Sequence, residues 1–456
     1  MKIVVVGLWH LGCVTAACLA NAGHEVIAYA GQNEIAEAAP IRLHTDSPSP
    51  ASGRGLGVRV AFEETPLTAP LFEPGLDDLL TITQQQTHTL TLIQHPTQLT
   101  TAQAEIIWIT FDTPVNEEDI ADVEYVIQQI KHLLPYLSAN TLILISSQLP
   151  VGSTRQIQRY CTEHFPEKNI SFAYSPENLR LGQAIQVFTQ PDRVIVGLQQ
   201  QTDQARIRAL LKPFTENIIF MSIESAEMTK HALNAFLATS VVFINELASL
   251  CERVGADARE VEQGLKSEQR IGKKAYLRPG NAIAGGTLAR DVNYLMQIGQ
   301  QQQVNTPLFS ALLASNQQHK QWSCRKIVEV LENLTNKTIA VLGLTYKADT
   351  DTLRRSTAIE FCQWLKQQGA NITAFDPAVK QLEQPLAEII TLKSSLKQAV
   401  EQVDAIVIAT EWPQFTAFTA DELLSWAKQP IVLDASGFLM KIFGTDERIK
   451  YYYVGR

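Results

Sequence analysis

The chain has 456 residues, too many for a single hydrophobic core, so we expect two or three domains. Its 45% hydrophobic and 19% charged residues are typical of a soluble globular protein, and a net charge of −9 gives no support for nucleic-acid binding. The six cysteines show no metal-ligand spacing, so we expect no metal site and a reducing, cytoplasmic location. No apolar stretch is expected to be long enough to cross a bilayer, so no membrane partner is predicted.

The N-terminal segment follows the pattern of strand, glycine turn, helix and strand. Lys2–Val6 predicts a buried strand, and it is followed by the turn Gly7-Leu-Trp-His-Leu-Gly12. A helix over residues 13–22 and a second strand over residues 26–29 complete the unit. This is the context that a dinucleotide fingerprint requires, with the cofactor pyrophosphate at the helix N-terminus.

Two residues in this unit depart from the dinucleotide pattern. Trp9 replaces the second glycine, which lets the pyrophosphate approach the backbone, and Ala30 replaces the acidic residue that holds the ribose hydroxyls. NADP is not an alternative, because no lysine or arginine lies between Lys2 and Arg42 to bind a 2′-phosphate. NAD is the expected cofactor, and a unit retained only as scaffold, with little or no cofactor binding, remains an alternative.

Strands and helices alternate through the rest of the chain, which predicts an α/β protein with two Rossmann-like doubly wound domains joined by a long central helix. We expect an N-terminal dinucleotide-binding domain over residues 1–200, a central helical domain over 201–320 and a C-terminal domain over 321–456. The predicted elements include a loop at 44–68 and a helix that starts after the Pro-Gly turn within residues 72–80. Further helices are predicted at 119–134, 225–254 and 357–368, and strands at 105–110, 142–146, 171–174, 337–342, 371–375, 405–410 and 431–433.

The predicted central helix leads to a glycine-marked loop at residues 278–291. Lys230 and Asn234 lie four residues apart in the helix and so share one face, although such a pair alone is more often a solvated stripe. The loop ends in Arg290 and Asp291 and lies between two nucleotide-type βαβ units, so it is the best candidate for chemistry.

An ordered series of short motifs resembles the UDP-glucose/GDP-mannose dehydrogenase family over nearly the whole chain. Each motif is weak alone, and their order makes the resemblance specific. The first half contains Glu73-Pro-Gly-Leu76, Thr113-Pro114, Pro150-Val-Gly152, Ser175-Pro-Glu-Asn-Leu179, Gly182-Gln-Ala-Ile185 and Pro191-Asp-Arg193. The second half contains Lys230, Asn234-Ala-Phe-Leu-Ala238, Phe243-Ile-Asn-Glu246, Gln269-Arg-Ile-Gly272, Gly285-Gly286, Gly343-Leu-Thr-Tyr-Lys347, Asp349-Thr350, Arg354, Asp376-Pro377 and Thr410-Glu-Trp412.

The resemblance implies an NAD-binding domain, a central helix at the core of a homodimer, and a C-terminal domain that holds a UDP- or GDP-linked sugar. It also implies oxidation of the sugar C6 alcohol to a carboxylate in two hydride transfers, with a cysteine holding the intermediate aldehyde as a thiohemiacetal.

The resemblance also implies roles for individual residues. Lys230 matches the lysine that stabilises the developing oxyanion, and Asn234 matches its amide partner. Asp291 matches the aspartate that helps position water, and Glu177 matches the glutamate associated with thioester hydrolysis. These four are the expected catalytic residues, and a cation beside carboxylates and an amide suits oxyanion chemistry.

The expected binding residues form two further groups. Gly7, Gly12, Thr113 and Arg354 are expected to bind the cofactor. Arg270, Lys347, Asn178 and Leu179 are expected to bind the substrate, with Arg270 reaching the sugar nucleotide across the dimer.

The loop itself departs from the family pattern Gly-Gly-Ser-Cys-Phe-Pro-Lys-Asp. This chain has Gly285-Gly-Thr-Leu-Ala-Arg-Asp291, one residue shorter and without a thiol. The family threonine before Val-Pro aligns with Gln148, which changes a second water-handling position. This loop therefore cannot form a thioester.

Three interpretations remain open. An altered dehydrogenase would form a 6-aldehyde in one hydride transfer, and a second transfer could follow only through the hydrated aldehyde. A nucleotide-sugar-binding protein would have lost catalysis. A four-electron, uronate-forming enzyme would need another residue in place of the thiol. A two-domain hydroxyacid dehydrogenase is a remote alternative, which the C-terminal motifs disfavour.

Overall fold

The computed structural model of the chain describes residues 1–30, 67–71, 73–114, 121–283, 287–354 and 356–456. It forms two compact units, Met1–Lys230 and His231–Arg456, and the division falls within a single long helix. The three-domain division expected from the sequence is finer and stays a prediction. Most of the expected loop at 44–68, together with Phe72, Gly285 and Gly286, lies outside the described residues.

The first unit contains an eight-stranded sheet in the order β3-β2-β1-β4-β5-β6-β7-β8. The first six of these strands follow the order of a dinucleotide-binding fold. The strands are β1 (Lys2–Val6), β2 (Glu25–Tyr29), β3 (Leu90–Ile93), β4 (Ile106–Ile109), β5 (Leu142–Ile145), β6 (Ser171–Tyr174), β7 (Val194–Leu198) and β8 (Ile218–Met221). All neighbours pair in parallel except β6 and β7, which are antiparallel and so depart from the expected parallel sheet.

Helices cover both faces of this sheet. The described helices of the first unit are α1 (His10–Asn21), α2 (Leu76–Thr81), α3 (Leu99–Ala102), α4 (Val123–Leu133), α5 (Ser153–His164), α6 (Ala184–Thr189) and α7 (Gln204–Leu211), followed by the start of α8 (Ile223–Val254). In β1, Ile3 and Val5 pack in one hydrophobic cluster and Val4 and Val6 pack in the other. Because neighbouring side chains of a strand point to opposite faces, this alternation confirms the doubly wound arrangement.

The second unit contains a six-stranded parallel sheet in the order β11-β10-β9-β12-β13-β14, the same strand order around its own first strand. Its strands are β9 (Thr338–Leu342), β10 (Asn371–Phe375), β11 (Ile390–Leu392), β12 (Ala405–Ile408), β13 (Ile431–Asp434) and β14 (Lys450–Tyr452). Its helices after α8 are α9 (Ala258–Ser267), α10 (Thr287–Gln301), α11 (Pro307–Lys320), α12 (Trp322–Leu331), α13 (Thr357–Gln367), α14 (Leu386–Ile389), α15 (Leu396–Val400), α16 (Ala420–Trp426) and α17 (Met440–Phe443).

Helix α8 corrects the expectation that no stretch of the chain is long enough to cross a membrane, because its length and composition satisfy that test. Some of its apolar side chains are packed against the protein, and others, such as Phe236 and Phe243, are exposed. Ala235, Ala238 and Val242 pack with α10 and α11 residues in a hydrophobic cluster that includes Val292 and Leu312. A helix that packs in the core of a folded domain also carries many apolar residues, so composition alone does not identify a membrane span.

Candidate functional site

Lys230 and Glu177 form a polar pair in the first unit. Lys230 lies on α8 and is only 5% exposed, and its ammonium donates a hydrogen bond to the Glu177 carbonyl oxygen. The same Nζ atom lies 3.6 Å from Oε2 of the Glu177 side chain, whose Oε1 accepts from the Leu179 N–H. Glu177 follows β6, at the sheet edge where ligands bind in such folds. This arrangement holds one ammonium group in place with little water around it, as stabilisation of an oxyanion requires.

Asn234 and Asp291 form a second pair, which lies in the second unit. The Asn234 amide donates to Oδ2 of Asp291, and Nδ1 of His231 lies 2.6 Å from Oδ1. His231 and Asp291 are fully buried. Both oxygens of the Asp291 carboxylate are therefore engaged by side chains of α8. Its expected part in positioning water stays a prediction, and His231 is a member of this group that the sequence did not indicate.

The glycine turn after β1 retains the shape of a dinucleotide-binding turn. A Cβ atom on Gly7, whose φ is +94°, would lie 2.6 Å from the Phe111 nitrogen, and one on Gly12 would lie 1.8 Å from the Gly7 carbonyl oxygen. Trp9 precedes α1, with its side chain 37% exposed, and the first turn of α1 contains no acidic residue. The turn fits an anion at the helix N-terminus. Because Trp9 stands in place of the second glycine, the turn lacks the position at which the pyrophosphate approaches the backbone closely. Ala30 likewise provides no carboxylate for the ribose hydroxyls.

The other expected binding residues are placed as follows. Thr113 is buried, and its hydroxyl donates to the Gln148 carbonyl oxygen at 2.7 Å. In the second unit, Arg270 is exposed and pairs with neighbouring Glu268. The exposed residues Asn178, Lys347 and Arg354 and the partly buried Leu179 complete the set. The structure brings together Lys230, Glu177 and Leu179 in one unit and Asn234 and Asp291 in the other.

A cavity of about 480 Å³ lies within the second unit, in the range typical of small-molecule sites. The residues that line it include Tyr276, Arg278, Leu288, Tyr346, Glu411 and Ser436. Aromatic rings beside a guanidinium suit a ligand with a flat base and a phosphate. Tyr346 and Glu411 lie inside motifs that the sequence had indicated, so motif membership was the signal for them.

Side chains of α8 and α11 hold the described part of the loop at 280–283. Asn245 Oδ1 accepts from the Gly280 N–H at 2.9 Å, and the amide of Asn316 exchanges two hydrogen bonds with the Ile283 backbone. Nε2 of His319 lies 2.8 Å from the Gly280 carbonyl oxygen. Burial lowers the pKa of His319, and the hydrogen bond to Gly280 opposes that shift. A neutral imidazole that donates from Nε2 therefore anchors the loop.

Three family descriptions match successive parts of the chain. They are the NAD binding domain (residues 65–215), the central domain (224–318) and the UDP binding domain (340–441) of the UDP-glucose/GDP-mannose dehydrogenase family. The NAD-binding match begins after the glycine turn at residues 7–12.

Relatives and solved structures agree with these matches. The chain is 30% identical to UDP-glucose 6-dehydrogenase of Rhizobium meliloti (strain 1021) over 465 residues, covering 100% of both chains. It is also 30% identical to UDP-glucose 6-dehydrogenase YwqF of Bacillus subtilis (strain 168), covering 100% of this chain and 98% of the relative. The fold is similar to that of a UDP-glucose dehydrogenase from Pyrobaculum islandicum, with a TM-score of 0.81, 24% identity and coverage of 99% and 97% of the two chains. The chain therefore belongs to the UDP-glucose/GDP-mannose dehydrogenase family of NAD-dependent nucleotide-sugar oxidoreductases.

Proposed function

We propose that the protein oxidises the C6 alcohol of a UDP- or GDP-sugar with NAD and does so without a thioester intermediate. The observation that carries this proposal is the buried ammonium of Lys230 beside Glu177, a fixed positive charge for the oxygen that becomes negative as the hydride leaves. UDP-glucose is the substrate to test first, because the relatives carry that name and residues 340–441 match a UDP binding domain.

The second part of the proposal, altered chemistry, rests on the cavity and the cysteines. Leu288 lines the cavity, and none of the cavity's described lining residues is a cysteine. All six cysteines are buried, and burial raises the pKa of Cys324, in the second unit, to about 11. A thiol with so high a pKa carries little thiolate at neutral pH and is a poor nucleophile. The proposed product is therefore a 6-aldehyde, with one hydride transferred per sugar.

NAD would be held by the first unit's glycine turn, with Gly7 and Gly12 shaping the turn and the N-terminus of α1 facing the pyrophosphate. Thr113 and Arg354 remain the other expected cofactor-binding residues. A bound NAD would supply the acceptor for the hydride.

A second candidate is a nucleotide-sugar-binding protein without catalysis. Trp9 and Ala30 favour it, because they remove the close backbone approach to the pyrophosphate and the ribose carboxylate. Such a protein would retain the cavity of the second unit and would bind NAD weakly.

One experiment separates these candidates. The protein is incubated with NAD and UDP-glucose, NADH is measured by absorbance, and any aldehyde is trapped and identified. One NADH per sugar with a trapped aldehyde supports the proposal. Two NADH and a uronate contradict the altered stoichiometry, and sugar-nucleotide binding by calorimetry without NADH identifies the binding protein.

The role of Lys230 is tested by Lys230→Met. Loss of one group that stabilises an oxyanion lowers kcat by about 10²–10³. The matched control is Lys212→Met, which removes an exposed lysine and should leave kcat unchanged. Equal activity of both variants would contradict the role of Lys230.

The missing thiol is tested by Thr287→Cys. In the family pattern the cysteine stands four residues before the aspartate, and the residue four before Asp291 is Thr287, where α10 begins. We expect this variant to raise the NADH yield per sugar from one towards two. The control is Ala289→Cys, which places a thiol two residues further on.

We further propose a cytoplasmic homodimer that binds neither nucleic acid nor membranes. Exposed Phe236, Phe243 and Leu250, spaced seven residues apart on α8, support the dimer because they would be covered by a second copy of the chain. The net charge of −9 supports the absence of nucleic-acid binding, and the absence of metal-ligand spacing among the cysteines supports the cytoplasmic location.

A further inference from the structure

Two buried rings beside Asp291 have no part in the proposed reaction. His231 lies on α8 and Tyr294 lies on α10, three residues after Asp291. Their ring centroids are 5.2 Å apart in an edge-to-face arrangement. His231 is fully buried and Tyr294 is only 4% exposed.

The carboxylate of Asp291 determines which nitrogen of His231 carries the proton. A carboxylate oxygen 2.6 Å from Nδ1 accepts a hydrogen bond, so a single ring proton is held on Nδ1. Nε2 is then an acceptor. Within the described parts of the chain, neither this buried Nε2 nor the buried hydroxyl of Tyr294 has a hydrogen-bond partner.

Two unpaired polar atoms on neighbouring buried rings call for a ligand that can satisfy both, because leaving such atoms unpaired is costly. Burial raises the pKa of Tyr294 to about 12, so its hydroxyl keeps its proton and can donate. A water molecule can accept from this hydroxyl and donate to Nε2 of His231.

We propose that His231 is a positioning residue and, together with Tyr294, binds one buried water molecule. Its Nδ1–H fixes the Asp291 carboxylate, whose other oxygen fixes the amide of Asn234. Through this chain of hydrogen bonds His231 holds the amide expected to assist Lys230. This kinetic part rests on the proposed dehydrogenase function, whereas the water site does not.

Two substitutions of His231 separate its two nitrogens. In His231→Asn the amide nitrogen takes the place of Nδ1 and can still donate to Asp291. In His231→Gln the terminal amide lies near the place of Nε2, and the donor to Asp291 is lost. His231→Leu removes both, and Ser240→Ala, which removes a hydroxyl bonded within α8, is the control.

We expect kcat with UDP-glucose to fall about tenfold or more in the Leu and Gln variants, with KM changed less than about twofold. The Asn variant should stay within about threefold of the wild-type kcat, because it preserves the contact to Asp291. If His231 had only a structural role, the loss of kcat in each variant would instead follow the fall in its unfolding midpoint. Wild-type kcat in the Leu variant, or an equal loss in the Asn variant, overturns the positioning role.

The water site is tested in a crystal structure at about 1.5 Å resolution, a readout that needs no activity. We expect density for one water molecule within hydrogen-bond distance of Nε2 of His231 and the Tyr294 hydroxyl, and its loss in Tyr294→Phe. Absence of that water, or a protein group paired with Nε2, overturns the water site. If the wild-type protein makes no NADH, the dehydrogenase proposal and the kinetic role fail together, while the density still decides the water site.

Discussion

At the scale of single residues, the glycine turn shows how a fold element and its ligand function can be separated. Gly7 and Gly12 are required by the protein itself, because a Cβ at either position would collide with neighbouring backbone. Trp9 meets no such constraint, since its φ of −79° is accessible to any residue. The turn can therefore form without its second glycine, and only a bound dinucleotide would require that glycine.

Cofactor affinity is the first prediction at this scale. Trp9→Gly together with Ala30→Asp restores the close approach of the pyrophosphate to the backbone and the carboxylate for the ribose. We therefore expect the Kd for NAD to fall at least about tenfold, which corresponds to about 1.4 kcal/mol of binding free energy. Calorimetric titration measures it. The control is Trp9→Gly with Ala30→Asn, because asparagine has the shape of aspartate without its charge. This variant should gain less affinity for NAD. An unchanged Kd would show that NAD is not held at this turn.

The candidate site was only partly predictable residue by residue. The family resemblance pointed to Lys230, Glu177, Asn234 and Asp291, and the structure pairs them in two separate contacts. It could not point to His231, because a histidine on a largely apolar helix carries no sequence signal of a buried carboxylate partner. That contact depends on where α10 packs against α8, which periodicity does not specify.

At the scale of secondary structure, the buried strands were predictable and the edge strands were not. β1 and β6 have the predicted bounds, and β4 and β5 are shorter by one or two residues, because all four are nearly continuous apolar runs. The edge strands β3, β8, β11 and β14 were missed, and so was β7, which lies inside the first sheet. In β3 and β8 most residues are only partly buried, so their apolar pattern is weaker.

The turn after β9 depends on one buried carboxylate. Asp376 follows β10, where a dinucleotide fold places its ribose-binding acid, yet its Oδ2 accepts from the N–H groups of Leu344 and Thr345 and from the Trp412 indole at 2.7–3.0 Å. Asp376→Ala leaves these donors buried without a partner, so we expect the free energy of unfolding to fall by at least about 1–3 kcal/mol. Urea unfolding followed by circular dichroism measures it. Asp351→Ala, on the exposed surface, should leave stability unchanged.

The loop held by His319 gives a pH prediction. Burial lowers the pKa of His319, and Arg325 lowers it further, while Gly280 and Glu252 oppose the shift. The folded state therefore binds fewer protons than the unfolded state below the ordinary histidine pKa of about 6.5, and stability falls as pH drops through that value towards the folded pKa.

The comparison variant is His319→Gln, which can donate to the Gly280 carbonyl oxygen but does not titrate. We expect the wild type to lose more thermal stability than this variant between pH 7.5 and pH 5.5, and scanning calorimetry at both values measures the difference. Equal losses in the two proteins would show that His319 is not the group responsible.

At the scale of the whole molecule, six strands of each sheet have the same order, with β1 and β9 in the corresponding position. The two dinucleotide-type units in the sequence predict this shared order. The surface of α8 could not be predicted in the same way. A long apolar helix satisfies the criteria for a membrane span, a core helix and a subunit interface alike, and only packing distinguishes them. One face of α8 is buried within the second unit, and Phe236, Phe243 and Leu250 are 72%, 50% and 60% exposed on another.

The last prediction is that a second copy of the chain covers the apolar stripe formed by Phe236, Phe243 and Leu250. Phe243→Glu places a charge at the centre of the stripe, where burial against a partner would cost more than the contact gains, so we expect a monomer. Size-exclusion chromatography with light scattering distinguishes a monomer from a dimer. Val328→Glu adds the same charge on α12 and should remain dimeric. Because Arg270 is expected to reach the partner's substrate, the monomer should also bind UDP-glucose more weakly by calorimetry. A Phe243→Glu variant that stays dimeric would place the interface elsewhere.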